Sequence, residues 1–153
     1  MTDLTFDIIP PEAIRSGQAT DAYFDRTEST LRAADRNPHV VAEVTADQFP
    51  DGEFELLAGL KDAAALLADR PLDVDAIPPG RLFDGGPILR IEGPYLEFAR
   101  LETSLLGLLS HASGIATAAL EARRAAPDSS VLSFGARHVH PSIAGVVERS
   151  ALI

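Results

Sequence analysis

The residues of this chain best suited to chemistry stand close together near its carboxyl end. Arg137, His138 and His140 form its densest group of cationic or titratable side chains, and they follow an apolar, β-branched run at residues 131–134. An arginine fork binds carboxylate or phosphate, and an imidazole adds a donor or moves a proton. The run predicts a buried strand, so we expect a site for an anionic ligand at its carboxyl end.

The same group has a simpler interpretation. An isolated Arg-His-x-His pattern is more often a solvated loop, and its place after the predicted strand, beside the small residues 135–136, is what favours a site. Two histidines without a third ligand at useful spacing do not predict a metal centre. The glycines at 80, 85 and 86 form neither a dinucleotide-binding nor a P-loop pattern.

Residues at three other places could bind a ligand or take part in catalysis, but each could instead serve the packing of the core. Tyr23 and Phe24 could stack on a planar ligand or fill the core, and their spacing favours the core. His111 lies in an apolar helical tract, which predicts a hydrogen-bonded core histidine. Residues 113–117, SGIAT, place small side chains where two elements could pack closely, and we expect packing there rather than catalysis.

The elements that must position these residues alternate between helix and strand. Apolar periodicity, Pro and Gly predict helices over 11–16, 21–36, 53–69 and 96–126, the last broken at Ser113 and Gly114, and a final helix from Pro141. β-Branched or alternating runs predict strands at 39–45, 74–77, 87–92 and 131–134. This order predicts an α/β fold whose end resembles the opening of a parallel unit.

Length and composition restrict the class of protein. With 153 residues the chain can form one domain, or a small domain and part of a second. The absence of cysteine excludes disulfides and thiolate chemistry and favours a cytoplasmic protein. The apolar tract at 105–120 falls short of a membrane span. The final SALI carries no helix stop signal, so we interpret the chain as a piece of a longer protein.

Charge excludes some partners. The chain has 23 acidic and 13 basic residues, a net charge of −10, and Lys61 is its one lysine. Nucleic acid and anionic membranes both require a basic face, so neither is expected as a partner. A carboxylate-rich, lysine-poor surface is typical of proteins from salt-loaded cytoplasm, which predicts a halophilic source.

Four segments, in order, resemble one family. Residues 92–97 (EGPYLE), 101–110 (LETSLLGLLS), 113–117 (SGIAT) and 134–141 (FGARHVHP) are similar to the type II phosphoribosyltransferases, and among them to the N-terminal portion of nicotinate phosphoribosyltransferase. Residues 20–27 (TDAYFDRT) resemble that family's nicotinate-site segment. The resemblance covers most of the chain.

The resemblance implies a fold and an activity. It implies an N-terminal α/β sandwich domain over residues 1–100, followed at 101–153 by the first helices, strand and helix of an incomplete α/β barrel. The implied glycosyl transfer moves phosphoribosyl from phosphoribosyl pyrophosphate to nicotinate in NAD salvage, giving nicotinate mononucleotide. Mg²⁺ and ATP are implied as cofactors, with their ligands outside this chain, and a homo-oligomer, dimer or higher, is expected.

The resemblance also implies roles for particular residues. Tyr23 would stack on the pyridine ring, and Arg137 and His138 would meet the nicotinate carboxylate or a phosphate. Asp21, Phe134 and His140 complete the expected substrate-binding set. The catalytic residues are expected beyond residue 153, together with a phosphorylated histidine whose role His140 does not take, so we expect no turnover by this piece alone.

Two alternatives remain open. Quinolinate-using relatives resemble the chain through SGIAT and the arginine at 137, but they carry a further arginine shortly before the glutamate that Glu102 matches. Residues 95–99 hold no such cation, which favours nicotinate as the substrate. The other alternative is a non-catalytic α/β remnant that binds a ligand.

Overall fold

The computed structural model describes residues 8–46 and 55–152. Within these ranges the helices and strands follow the chain in mixed order, which confirms the predicted α/β class. The helices are α1 (Pro11–Arg15), α2 (Ala22–Ala33), α3 (Leu60–Leu67), α4 (Glu102–Ala125) and α5 (Ala144–Ser150). The strands are β1 (His39–Thr45), β2 (Glu55–Leu56), β3 (Asp73–Ala76), β4 (Leu82–Phe83) and β5 (Pro87–Pro94). Short 3-10 turns occupy Tyr95–Glu97, Ala99–Leu101, Gly135–Arg137 and Pro141–Ile143.

The strands form two small antiparallel sheets. The larger has the order β1-β5-β3, and β2 pairs with β4 in the smaller. The strands predicted at 39–45, 74–77 and 87–92 are therefore confirmed as β1, β3 and β5. All the strand pairs among the described residues are antiparallel, so the predicted opening of a parallel unit is not seen there.

The core lies between the larger sheet and the helices α3 and α4. Leu89 and Ile91 of β5 are buried against Leu66 of α3 and against Leu105 and Leu109 of α4. Because α4 shares this core with the sheet, no packing boundary separates residues before 100 from those after it. The division into domains at 1–100 and 101–153 remains a prediction.

The predicted break in the long helix is wrong. The helix α4 runs through Ser113 and Gly114 without interruption. Ser113 is 2% exposed, and its hydroxyl accepts a hydrogen bond from the Ala58 backbone N–H at 3.1 Å. One turn later the Thr117 hydroxyl accepts from the Leu56 N–H at 2.8 Å. These hydroxyls satisfy buried backbone donors of a neighbouring segment, which confirms a packing role for SGIAT.

The predicted helix over 53–69 is half wrong. Residues 53 and 54 lie outside the described part of the chain, and β2 and a turn precede α3. The turn requires Gly59, which has φ +85°, and a Cβ there would lie 2.6 Å from the Leu108 carbonyl oxygen. Tertiary contacts with α4 thus override a sequence pattern that suits a helix.

The predicted buried strand at 131–134 is also wrong. The segment has no regular structure, and Leu132 and Phe134 are 74% and 60% exposed. The expected final helix is confirmed as a 3-10 turn at Pro141–Ile143 followed by α5. Arg137, His138 and His140 therefore follow an exposed coil rather than a strand.

One helical run in the described residues, Tyr95–Ala125, is long and apolar enough to cross a membrane by length and composition. An 18-residue window within this run has a mean hydropathy of 1.3, and 28% of that window is buried. The expectation that this tract falls short of a span was therefore too strict. The hydroxyls of Ser113 and Thr117 in this run bind the backbone of another segment of the chain.

Candidate functional site

Tyr23 and Phe24, adjacent in the first turn of α2, have opposite environments. Phe24 is 2% exposed and fills the core, whereas Tyr23 is 53% exposed. Their ring centroids lie 4.1 Å apart with a tilt of 40°. The expectation that both fill the core is therefore wrong for Tyr23, whose ring is supported by Phe24 and leaves surface free for a planar ligand.

Polar residues from three elements lie near Tyr23: Glu102, Asp21 and Tyr95 interact with it electrostatically, and Thr103 binds Asp21. We call Asp21, Tyr23, Tyr95, Glu102 and Thr103 the Tyr23 cluster. Asp21 is the N-cap residue of α2, but its carboxylate makes no capping bond. Instead the Thr103 hydroxyl donates to Asp21 Oδ2 at 2.7 Å and accepts from the Asp21 backbone N–H at 3.2 Å. The start of α4 thereby holds the start of α2.

The charges of the Tyr23 cluster act on one another. Partial burial and the charges of Glu102 and Asp21 raise the pKa of Tyr23 above its ordinary value. Burial, and then the charge of Glu102, raise the pKa of Tyr95. Burial and the charge of Asp21 raise the pKa of Glu102. Both phenols therefore keep their protons at neutral pH and can donate hydrogen bonds to an anion.

The cation nearest in sequence to the cluster is already paired. Arg100 Nη1 lies 2.7 Å from Asp25 Oδ1 and 3.2 Å from Glu28 Oε2. Its Nε donates to the Gly17 carbonyl oxygen at 2.9 Å. Arg100 therefore binds α2 and the preceding turn to the start of α4, and it is not free to hold a ligand carboxylate.

Two cavities adjoin the cluster. One, of about 550 Å³, has a mainly apolar lining from residues before α2, from α4 and from the 3-10 turn leading into α5, and Asp21 and Thr103 are among its polar residues. The other, of about 280 Å³, lies between β1 and α4, and Glu102 lines it. The cluster therefore borders space on both sides of the α4 N-terminus.

Arg137 and Phe134 form a second, separate group. The Arg137 guanidinium lies 5.9 Å from the centroid of the Phe134 ring, a cation–π arrangement, and Arg137 and His138 are both exposed. Across residues 8–46 and 55–152, none of the hydrogen bonds, ion pairs or ring contacts joins Arg137 or His138 to Tyr23. The assignment of Tyr23, Asp21, Phe134, Arg137, His138 and His140 as one substrate-binding set remains a prediction.

His140 and His111 have different surroundings. His140 Nδ1 lies 2.7 Å from the Ser142 hydroxyl and accepts from the Ser142 N–H at 3.2 Å, so His140 caps the turn that leads into α5. His111 is exposed and lines the larger cavity. The prediction of a core histidine at 111 is therefore wrong.

Sequence reasoning missed Tyr95 and Thr103 as members of the site, and left Glu102 without a role. The sequence offered one signal, which is position. Tyr95 comes directly after β5, and Glu102 and Thr103 begin α4, so a turn of the chain allows their side chains to lie near α2. Among the described residues, no three His, Asp or Glu side chains converge to hold a metal ion.

The fold and these motifs define a class. The sequence model of the family described as quinolinate phosphoribosyl transferase, N-terminal domain, matches residues 21–113. That range covers most of the chain, including β1, β3, β5 and the Tyr23 cluster. The chain therefore belongs to this family and represents an N-terminal portion of a type II phosphoribosyltransferase.

Particular relatives refine the comparison. A nicotinate phosphoribosyltransferase of Mycobacterium tuberculosis is 34% identical over 111 residues, which cover 69% of this chain and 25% of that protein. The bovine nicotinate phosphoribosyltransferase is 48% identical over 66 residues, 42% of this chain and 12% of that protein. The chain thus spans about a quarter or less of these two relatives.

Two solved structures share the fold. The nicotinate-nucleotide pyrophosphorylase of Pyrococcus furiosus is 43% identical with a TM-score of 0.93, covering 97% of this chain and 39% of that one. Human nicotinic acid phosphoribosyltransferase is 28% identical with a TM-score of 0.67, covering 74% and 30%. These relatives are therefore phosphoribosyltransferases of one family, and the Pyrococcus protein among them is similar to the quinolinate phosphoribosyltransferases.

Proposed function

We propose that the chain is the N-terminal portion of a nicotinate phosphoribosyltransferase that acts in the cytoplasm in NAD salvage. The nicotinate ring nitrogen bonds to the anomeric carbon of phosphoribosyl pyrophosphate, and the bond from that carbon to the pyrophosphate oxygen breaks. The products are nicotinate mononucleotide and pyrophosphate. Mg²⁺, ATP, the homo-oligomeric state and catalytic residues outside this chain belong to the same proposal.

The observation that carries the proposal is the exposed ring of Tyr23 on its buried neighbour Phe24. A planar pyridine can stack on that face, and base–aromatic stacking contributes about 1–3 kcal/mol. The phenol of Tyr23 keeps its proton and can donate to an anionic ligand. Arg137 and His138 are the partners that we assign to the nicotinate carboxylate or a phosphate.

The choice of nicotinate over quinolinate rests on charge. Quinolinate carries a second carboxylate, which requires another cation beside the ring. Arg100 is the one Lys or Arg of residues 95–110, and Asp25 and Glu28 already neutralise it. The charges of Asp21 and Glu102 near Tyr23 further disfavour a dianion.

Quinolinate remains the second candidate because of two comparisons. The matching family model is described by quinolinate, and the Pyrococcus protein represents the branch similar to quinolinate phosphoribosyltransferases. A chain that used quinolinate would need its extra cation from a segment outside residues 95–110.

The test is expression of the complete reading frame that encodes these residues, with pyrophosphate release measured on each pyridine acid plus phosphoribosyl pyrophosphate. We expect a kcat/KM at least about 100-fold higher for nicotinate than for quinolinate, because an unpaired second carboxylate costs several kcal/mol. Tyr23→Ala should raise the KM for nicotinate about tenfold, from the loss of stacking. The exposed β1 residue Val41 provides the control, Val41→Ala.

Each alternative predicts a different result. Preference for quinolinate supports the second candidate, and a complete frame without turnover on either acid supports a non-catalytic remnant. A nicotinate KM unchanged by Tyr23→Ala removes the assigned role of Tyr23. Residues 1–153 expressed alone should release no pyrophosphate.

A further inference from the structure

The helix that carries Tyr23 has little apolar attachment to the rest of the molecule. Phe24 is the one buried residue among the twelve of α2. The hydroxyls of Thr27, Ser29 and Thr30 donate to carbonyls within the same helix and do not attach it to other elements. Its position must therefore depend strongly on polar contacts with its neighbours.

The polar contacts of α2 and of the segment before it come from the 3-10 turn at Ala99–Leu101 and from the first turn of α4. Arg100 holds Asp25 and the Gly17 carbonyl, and the Ser104 hydroxyl donates to the Ala19 carbonyl at 3.1 Å. Thr103 alone among them reaches the residue that begins α2, with both a donated and an accepted bond to Asp21. Tyr23 is two residues further along.

The two hydrogen bonds between Thr103 and Asp21 fix the orientation of Asp21 as well as its distance from α4. The carboxylate of an N-cap aspartate ordinarily accepts from the first turn of its own helix. Here the carboxylate is directed to Thr103 instead, so the first turn of α2 loses a local cap and gains a tertiary anchor. A helix end anchored in this way holds its first-turn side chains in one orientation, and Tyr23 is one of them.

We propose that Thr103 is a positioning residue for substrate, which acts through Asp21 to hold the Tyr23 ring in the orientation that stacks on the pyridine. This inference rests on the proposed function for the identity of the ligand. Thr103 itself needs no contact with the substrate. Its effect should therefore vanish when the Tyr23 ring is absent, which separates positioning from a general effect on folding.

The first test needs no ligand. In the complete protein, labelling with 3-fluorotyrosine gives one ¹⁹F signal for each tyrosine, and the signal that Tyr23→Phe removes belongs to Tyr23. Thr103→Val, which keeps the shape and removes the hydroxyl, should shift or broaden the Tyr23 signal. Thr103→Ser should leave it unchanged. Thr30→Val is the matched control, because the Thr30 hydroxyl bonds only within α2.

The second test uses the complete enzyme and a double-mutant cycle. Thr103→Val should raise the KM for nicotinate about tenfold and change kcat less than about twofold, and Thr103→Ser should restore the KM. In a Tyr23→Ala background, Thr103→Val should change the KM less than about twofold.

The outcomes distinguish this inference from the proposed function. An unchanged Tyr23 signal in Thr103→Val overturns the positioning role whatever the substrate is. An equal KM effect with and without the Tyr23 ring also overturns it, because Thr103 would then act by another route. A shifted signal in an enzyme that does not use nicotinate refutes the proposed function and leaves Thr103 as the anchor of Tyr23.

Discussion

At the scale of single residues, neighbouring side chains of the same type differ because of what packs beside them. Glu28 binds Arg32 at 2.7 Å and Arg100 at 3.2 Å, and these hydrogen bonds lower its pKa. Glu102 is exposed but loses some of its hydration near Asp21, and this desolvation and the charge of Asp21 raise its pKa. The sequence alone does not show that the pKa values of these two carboxylates shift in opposite directions, because each glutamate lies on a helix within a few residues of an arginine.

The two carboxylates predict mutational effects of opposite sign. The raised pKa of Glu102 means that its charge costs stability above about its ordinary pKa of 4.5. Because solvent screens this exposed carboxylate, Glu102→Gln should raise Tm at pH 7 by at most about 1 °C and change it little at pH 4. The lowered pKa of Glu28 means that its pairs stabilise above 4.5 and are lost as the pH falls through the folded pKa. Glu28→Gln should therefore lower Tm at pH 7 by about 2–4 °C.

Thermal unfolding at both pH values measures the pair. The exposed Glu121→Gln on α4 is the control for removing a carboxylate. A fall in Tm on Glu102→Gln at pH 7 would show that Glu102 makes a stabilising interaction and contradict its destabilising assignment.

At the scale of elements, α4 organises the fold through hydroxyls and glycines that look alike in sequence. Ser113 and Thr117 bind the backbone of residues 56–58, and Gly59 allows that segment to approach α4 closely. Gly114 has open space around it. The glycine that the sequence marks as a helix break is therefore neutral, and the glycine that lies within a predicted helix is required.

Alanine at the two glycines should have opposite effects on stability. Gly114→Ala lies inside a helix with nothing within 4 Å of the new Cβ, and should stabilise the chain by about 0.5–1 kcal/mol. Gly59→Ala meets the Leu108 carbonyl oxygen at 2.6 Å with φ +85°, and should destabilise it by about 2 kcal/mol or more. Urea unfolding of both variants measures the difference.

The m-value serves as the control, because it must stay constant for the comparison to hold. If Gly114→Ala destabilised the chain, the result would instead support the helix break that the sequence predicts at Ser113 and Gly114.

At the scale of the whole molecule, charge is the dominant surface property. The net charge of −10 includes Asp73, Asp75, Glu43 and Glu92, which β1, β5 and β3 bring near Arg90. Arg90 pairs with Glu92 at 2.5 Å and reaches Asp75 at 3.8 Å. One cation among four carboxylates leaves a repulsive excess on this sheet.

Salt should therefore stabilise the chain. Raising NaCl from about 0.1 M to about 1 M shortens the Debye length from about 10 Å to about 3 Å, which screens this repulsion and should raise Tm. Replacing the exposed Asp73 and Asp128 together by Asn removes two negative charges and should reduce the salt dependence. Salt-independent Tm values for the natural sequence would contradict the expected halophilic character.

The sequence by itself determined the class of fold, three strands and most helices, because these follow from local periodicity and from proline and glycine placement. It also indicated the family and singled out Tyr23, because stretches such as SGIAT and TDAYFDRT are contiguous. Local signals of this kind survive whatever the rest of the chain does.

Tertiary structure alone decided which of two adjacent aromatic residues faces solvent, and that Thr103 holds Asp21. It also decided that residues 131–134 remain an exposed coil. The bond between Thr103 and Asp21 joins residues 82 positions apart, and the hydroxyls of Ser113 and Thr117 accept from backbone donors 55 and 61 residues away. Burial and hydrogen bonding are properties of the assembled molecule, and the local pattern of residues does not contain them.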